Sequence, residues 1–333
     1  MSGAFLPDGR LHLQHGPIDL IIEAFGARAE VEAAYRQAID RFDDILPTLV
    51  RELPMLRRPV GNAHPLLHGP VARRMAEAVW PHRAQYITPM AAVAGAVADE
   101  MLQAMLAGRT LDRAYVNDGG DIAIHLAPGH SLRAGIFVQA LDGAVTLTHD
   151  SPVRGLATSG WGGRSFSLGI ADSVTVLAAT AAAADAAATV IANAVNADHP
   201  AIERRPAVSL DPDSDLGDLP VTVSVGNLPR DVADEALDRG MQEAYRLRQI
   251  GLIDSAAISL KGAWRLCHPE RSEGSHDVST GAPLASGDEV LRSAQDDRVA
   301  FLRAALGEGE ASGDVGLFDF KAFIAGRRTP QLE

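Results

Sequence analysis

Residues 173–195, SVTVLAATAAAADAAATVIANAV, form the longest apolar stretch of the chain. Valines and a leucine over 173–178 read as a strand. The alanines that follow read as a helix over about 181–196. Asp185 and three threonines, Thr175, Thr180 and Thr189, interrupt the stretch. A strand joined to a helix does not present the unbroken helical span that a bilayer requires, so this is not a membrane segment.

Working outward from this joint, the chain alternates helical and strand-like patterns. Val31, Ala34, Tyr35, Ile39, Phe42, Ile45, Leu46 and Leu49 recur at helical spacing, which predicts one amphipathic helix over 28–52. Further helices are predicted over 70–79, ended by Pro81, and over about 89–107, with Gly108 at its stop. Short apolar runs at 115–116, 122–124, 136–138 and 145–147 predict a β-meander, followed by a glycine-rich connection over 155–169. Beyond an Asp/Pro-rich linker at 209–219, residues 221–226, 230–249 and 256–260 predict a strand–helix–strand unit. The fold class expected is α+β, two layers with helices packed on antiparallel or mixed sheets.

Three stretches are expected as domains or segments: a core over 1–266, an insertion over 267–298 and a C-terminal segment over 299–333. The insertion, CHPERSEGSHDVSTGAPLASGDEVLRSAQDDR, has no aromatic residue. So little apolar surface cannot offset the ordering entropy of about 1–2 kcal/mol per residue, which predicts disorder. Its ERSEG and LRSAQDD runs resemble peptides translated from palindromic intergenic repeats; a functional lid is the rival reading. In the last segment, Phe318, Phe320 and Phe323 are expected to pack back onto the core.

Composition removes several functions. The 333 residues carry 43 acidic against 30 basic side chains, a net charge of −13, which disfavours broad binding to a nucleic-acid backbone. The single cysteine, Cys267, excludes an internal disulfide and a cysteine-based zinc site. The two lysines, Lys261 and Lys321, do not follow glycine, so a Walker A loop is absent. The N-terminus lacks a basic start followed by an apolar run and is not read as a secretory signal; a cytoplasmic protein is expected.

Three segments could carry chemistry. Asn117-Asp118-Gly119-Gly120-Asp121 joins two predicted strands. Gly119 and Gly120 would let the backbone approach a ligand, and Asn117 or Asp121 could hydrogen-bond it, although a plain hairpin turn uses the same residues. Arg154 to Ser165 holds glycines, hydroxyls and two arginines, a composition suited to a phosphate or diphosphate and equally to a flexible surface loop. Asp185 and Thr189 fall one helical turn apart among alanines. Such a pair of hard oxygen ligands suits Mg²⁺ completed by water and phosphate oxygens; alternatively, Asp185 only complements the helix dipole.

In this order, Asn117–Asp121, Ala157–Gly160, Ser173–Val176 and Ala184–Thr189 resemble the ApbE superfamily, the FAD:protein FMN transferases, and within it the soluble ApbE-like branch. The resemblance spans about 90–196. It implies an ApbE-like fold, and Mg²⁺ on Asp185 and Thr189 with a backbone carbonyl near Ala91–Ala94. It further implies an FAD or FMN site lined by Asn117, Gly119, Gly120, Asp121, Thr158, Ser159 and Gly160. The activity implied is FMN transfer or hydrolysis at the diphosphate, with a protein acceptor; the alternative is a flavin- or nucleotide-binding protein without transfer chemistry. A scaffold whose glycines only make turns is the third reading, and alanine-rich helices suggest a homodimer contact.

Transferases of this family carry a His-Ile-Ile-Asp-Pro-like stretch after the Thr-Ser-Gly segment. Here Arg164–Asp172 has neither histidine nor proline. The family's Lys-Gly is Ala94-Gly95, followed by Ala96. Loss of a general base costs about 10²–10⁴-fold in rate, so the residues present favour binding over flavin transfer.

Overall fold

The computed structural model describes residues 2–138 and 141–268. Contacts divide the chain into two units, residues 1–3 with 12–269 and residues 4–11 with 270–333. Of the second, residues 4–11 are described. They hold the end of β1 (Ser2–Phe5) and a turn in which the Leu6 amide donates to the Arg10 carbonyl at 2.8 Å. The expected insertion lies outside the described residues from 269 on, as does the expected packing of Phe318, Phe320 and Phe323. Cys267, assigned by sequence to the start of the insertion, is instead the buried last residue of a strand.

The first unit is a sheet with helices on one face. Its strands are β2 (Leu11–His15), β3 (Ile18–Phe25), β4 (Arg113–Asp118), β5 (Asp121–Leu126), β8 (Gly155–Ser159), β9 (Ser173–Ala178), β12 (Ser255–Leu260) and β13 (Ala263–Cys267). They lie side by side in that order. The pairs from β3 to β13 are antiparallel, as α+β architecture expects. β6 (Ser131–Val138) and β7 (Leu141–Thr148) form a separate hairpin, and β10 (Ile202–Pro206) pairs with β11 (Pro220–Val225).

The helices are α1 (Arg28–Phe42), α2 (Ile45–Leu56), α3 (Pro70–Val79), α4 (Val93–Leu106), α5 (Ala181–Ala194) and α6 (Arg230–Gln249). The 173–195 stretch folds as expected, β9 followed by α5. Thr180 caps α5, its side chain accepting from the Ala183 amide at 3.1 Å. Val174, Val176 and Ile258 meet the alanines of α5 and Leu237 of α6 in the main core. On the opposite face, Leu156 and Leu177 join a smaller cluster with Leu147.

Two expectations are corrected. The helix predicted over 28–52 is two, broken at Asp43 and Asp44. Pro47 has no amide and its ring opposes the carbonyl four residues back, which is Asp43, so the helix must restart. Residues 155–159 are not loop but β8, because Gly155 can lie flat against α5, where an added Cβ would sit 2.0 Å from the Thr180 carbonyl carbon. The strand–helix–strand elements over 221–260 form as expected, β11 pairing in the small sheet and β12 in the large one. Strands β2 and β3 were not anticipated from sequence.

Candidate functional site

The site begins at the β4–β5 hairpin. Asp118 and Asp121 stand opposite each other, with Gly119 and Gly120 between them at φ of +64° and +114°. That left-handed backbone is what glycine allows, and the Asn117 Oδ1 accepts the Gly120 amide at 2.8 Å to close the turn. Strand alternation places Asp118 and Asp121 on the face shared with buried Val116 and Ala123, toward the helices. Both acids are buried.

Two other segments reach the same point. The Thr158 amide at the end of β8 donates to Asp121 Oδ1 at 3.2 Å. From α5, the Asp185 carboxyl comes near enough to Asp121 for the two to act on each other's charge. The other side of Asp185 faces the first turn of α4, where the amides of Ala94 and Gly95 donate to it, Gly95 at 3.1 Å. Gly95 makes this possible, since a Cβ there would lie 2.3 Å from the Ala181 carbonyl oxygen.

Three carboxyls so close, and so poorly hydrated, hold protons tightly. Burial pushes Asp118 up to about 7, against the pull of the Asp19 amide and the Arg164 charge. Burial likewise raises Asp121, aided by the charge of Asp118 and opposed by the Thr158 amide. Asp185 is raised well above the usual range by burial and by the neighbouring charge of Asp121.

Of the residues expected at a nucleotide site, Asn117, Gly119, Gly120 and Asp121 therefore share one turn, and Thr158 is tied to it through its backbone. The Thr158 hydroxyl points to the other face, where it bonds Thr175 Oγ1 at 2.9 Å. Ser159 alternates back toward the helices. Gly160 is a close-approach position, 2.4 Å separating an added Cβ from the Asp172 carbonyl oxygen. Thr189 lies one turn beyond Asp185 on α5, partly exposed.

Sequence reasoning missed Asp118 as a member of the site. Its period-two alternation with Ala114 and Val116 was the available signal. It also missed Asp99, whose two oxygens accept the Ala181 and Ala182 amides at 3.0 and 2.9 Å and so occupy the start of α5. A separate cavity of about 250 Å³, lined by Arg74, His82, Asp99 and Thr180 among others, does not include Asp121, Thr158 or Asp185.

A metal would find few protein ligands here. Among the described residues no three His, Cys, Asp or Glu side chains are grouped to hold an ion. Asp185 with Thr189 is a two-oxygen set, the sparse kind that suits Mg²⁺ carrying waters and ligand phosphates. A cation would relieve the mutual repulsion of Asp121 and Asp185, whose neighbouring charge helps raise the Asp185 carboxyl. Among the described residues no helix is long and apolar enough to cross a membrane.

The chain is similar to several known proteins. The UPF0280 protein of Methanopyrus kandleri is 32% identical over 182 residues, 54% of this chain and 68% of the relative. That of Methanothrix thermoacetophila is 37% identical over 144 residues, 42% of this chain and 56% of the relative. The chain thus spans about two thirds of one relative's length and just over half of the other's. The solved ApbE protein of Thermotoga maritima is 13% identical with a TM-score of 0.38, over 79% of this chain and 96% of that one. A family model described as a bacterial antitoxin of the ParD toxin-antitoxin type II system and RHH matches residues 277–332, outside the described residues. Residues 3–266 match the model described as AbpE bacteria. The chain belongs to that family, within the ApbE superfamily.

Proposed function

We propose that this protein binds a flavin nucleotide, FAD or FMN, together with Mg²⁺. The observation that carries the reading is the meeting of Asp121, the Thr158 amide and Asp185 at one point, from three segments far apart in the chain. A bound Mg²⁺ would supply Lewis-acid polarisation of a diphosphate. Asp185 and Thr189 would hold it, and the Gly119–Gly120 turn, Asn117 and the Thr158–Gly160 segment would line the nucleotide. The amides of Ala94 and Gly95 fix the Asp185 carboxyl, so that its free oxygen edge is presented in one orientation.

Transfer of FMN to a protein acceptor, or hydrolysis at the diphosphate, is the chemistry such a site would support. A second reading, binding without transfer, is favoured by the Arg164–Asp172 segment, which offers no histidine to take the acceptor's proton. The protein would act as a cytoplasmic, nucleotide-handling member of its family.

Incubation of the full chain with FAD and Mg²⁺ tests both. Release of AMP, or a covalently flavinylated partner, establishes transfer or hydrolysis. Tight FAD binding without AMP selects the binding protein, and no affinity for FAD or FMN removes the flavin reading.

A further inference from the structure

The loop after β8 is bracketed by two arginines, and the structure separates their roles. Arg154 is engaged with its own turn: Nη1 donates to the carbonyls of Ser151 and Val153 and Nη2 to that of His149, each at 2.6 Å. These carbonyls take three of its five N–H donors and hold it to that turn. Arg164 is different. Among the described residues it makes no hydrogen bond and no ion pair, and its side chain is exposed.

Yet Arg164 is not adrift in solvent. Its guanidinium lies flush on the hairpin turn, so close that a Cβ added at Gly119 would sit 1.5 Å from Nη2 and 2.5 Å from Cζ. It is also the basic side chain whose charge acts on both Asp118 and Asp121, although it pairs with neither. An unpaired planar fork therefore waits at the rim of a buried acidic cluster. The cluster alone repels an anion. A diphosphate can approach only if positive charge meets it from both sides, a cation against the carboxyls and a donor at the rim.

We propose that Arg164 is the phosphate-recognition residue of this site, taking the diphosphate oxygens of an incoming nucleotide from the Gly119 side. Among the described residues no ion pair has to break for it to do so. The bare Gly119–Gly120 turn is the seat that keeps the guanidinium at the rim. The proposal deepens the flavin-nucleotide reading and rests on it for the identity of the ligand, but its diphosphate arm can be measured alone.

Calorimetric titration of the full chain in Mg²⁺ with inorganic diphosphate, FAD and riboflavin, for wild type, Arg164→Ala and Arg164→Lys, tests it. Arg164→Ala should weaken diphosphate and FAD by about tenfold and leave riboflavin unchanged, because riboflavin has no phosphate. Arg164→Lys should recover part of the loss, keeping charge without the two-pronged geometry. Unchanged diphosphate affinity in Arg164→Ala, or equal weakening of riboflavin, overturns the proposal. Arg164-dependent diphosphate binding without any FAD binding would remove the flavin reading and keep this one; no binding of either probe by wild type removes both.

Discussion

The carboxyls of Asp121 and Asp185 lie near enough for each to act on the other's proton, one at the tip of a hairpin and one on the first turns of a helix. Each is otherwise held by backbone amides, from Thr158 on one side and from Ala94 and Gly95 on the other. The pair is a point of stored repulsion that a proton or a cation relieves.

Asp185→Asn should therefore separate binding from stability. The amide can still accept the Gly95 N–H, but one of two facing charges is gone. Mg²⁺-dependent FAD binding should be lost in titration calorimetry. The melting temperature of the metal-free protein at pH 8 should rise, with a gain on the order of 1 kcal/mol. A lower melting temperature with Mg²⁺-dependent binding intact would contradict both halves.

The acids also set a pH dependence. Asp118 titrates at about 7 in the folded protein and at about 4 in the unfolded chain. Between those values the folded state holds a proton that the unfolded state has released, so stability falls as pH rises, and the loss is complete only about a unit above 7. Asp121 and Asp185 act in the same direction. Buried His82 works oppositely, but only between its folded value of about 4 and its free value of 6.5. The metal-free melting temperature should thus decline from pH 6.5 to 8, and Asp118→Asn should flatten the decline. Mg²⁺ should stabilise more at pH 8 than at pH 6. A melting temperature that climbs over this span would refute the account.

Gly95→Ala probes the helix contact. The new methyl would meet the Ala181 carbonyl, and the cost of forcing α4 from α5 is about 1–3 kcal/mol. Urea denaturation should show the loss, with weakened Mg²⁺ response because the Gly95 amide is displaced from Asp185. An unchanged midpoint would mean that the helices are not in this contact.

Asp99→Ala leaves the Ala181 and Ala182 amides without their acceptor. A loss of about 1–2 kcal/mol is expected in the same denaturation experiment, comparable to removing a strong helix cap. Diphosphate affinity should hold, since Asp99 lies off the nucleotide face; a selective loss of that affinity would redraw the site.

Much of this was legible where a residue type has one local meaning. Pro70 at the first position of α3, Gly108 after α4 and the alanines of α5 marked their elements. β3 was not, because IDLIIEAF is nearly continuous in apolar residues and its buried alternation emerges only against β4. β8 was hidden by Gly155 and small residues that suit a strand only when a helix backbone lies directly above. The hairpin acids were visible as a motif, but the burial that changes Asp118 from turn residue to site residue comes from elements distant in sequence. Arg154 and Arg164 look alike in the chain; only the carbonyls gathered around Arg154 tell them apart.

The bare backbone contact between Gly95 and Ala181 has one more consequence. With no side chain interposed, α4 and α5 have no cushion to slide upon, and the floor of the site is rigid. Room for a guest must come from the opposite side, where the Gly119–Gly120 turn lies beneath Arg164. The site thus has one fixed jaw, and the size of guest it accepts is decided on the side of the hairpin turn and Arg164.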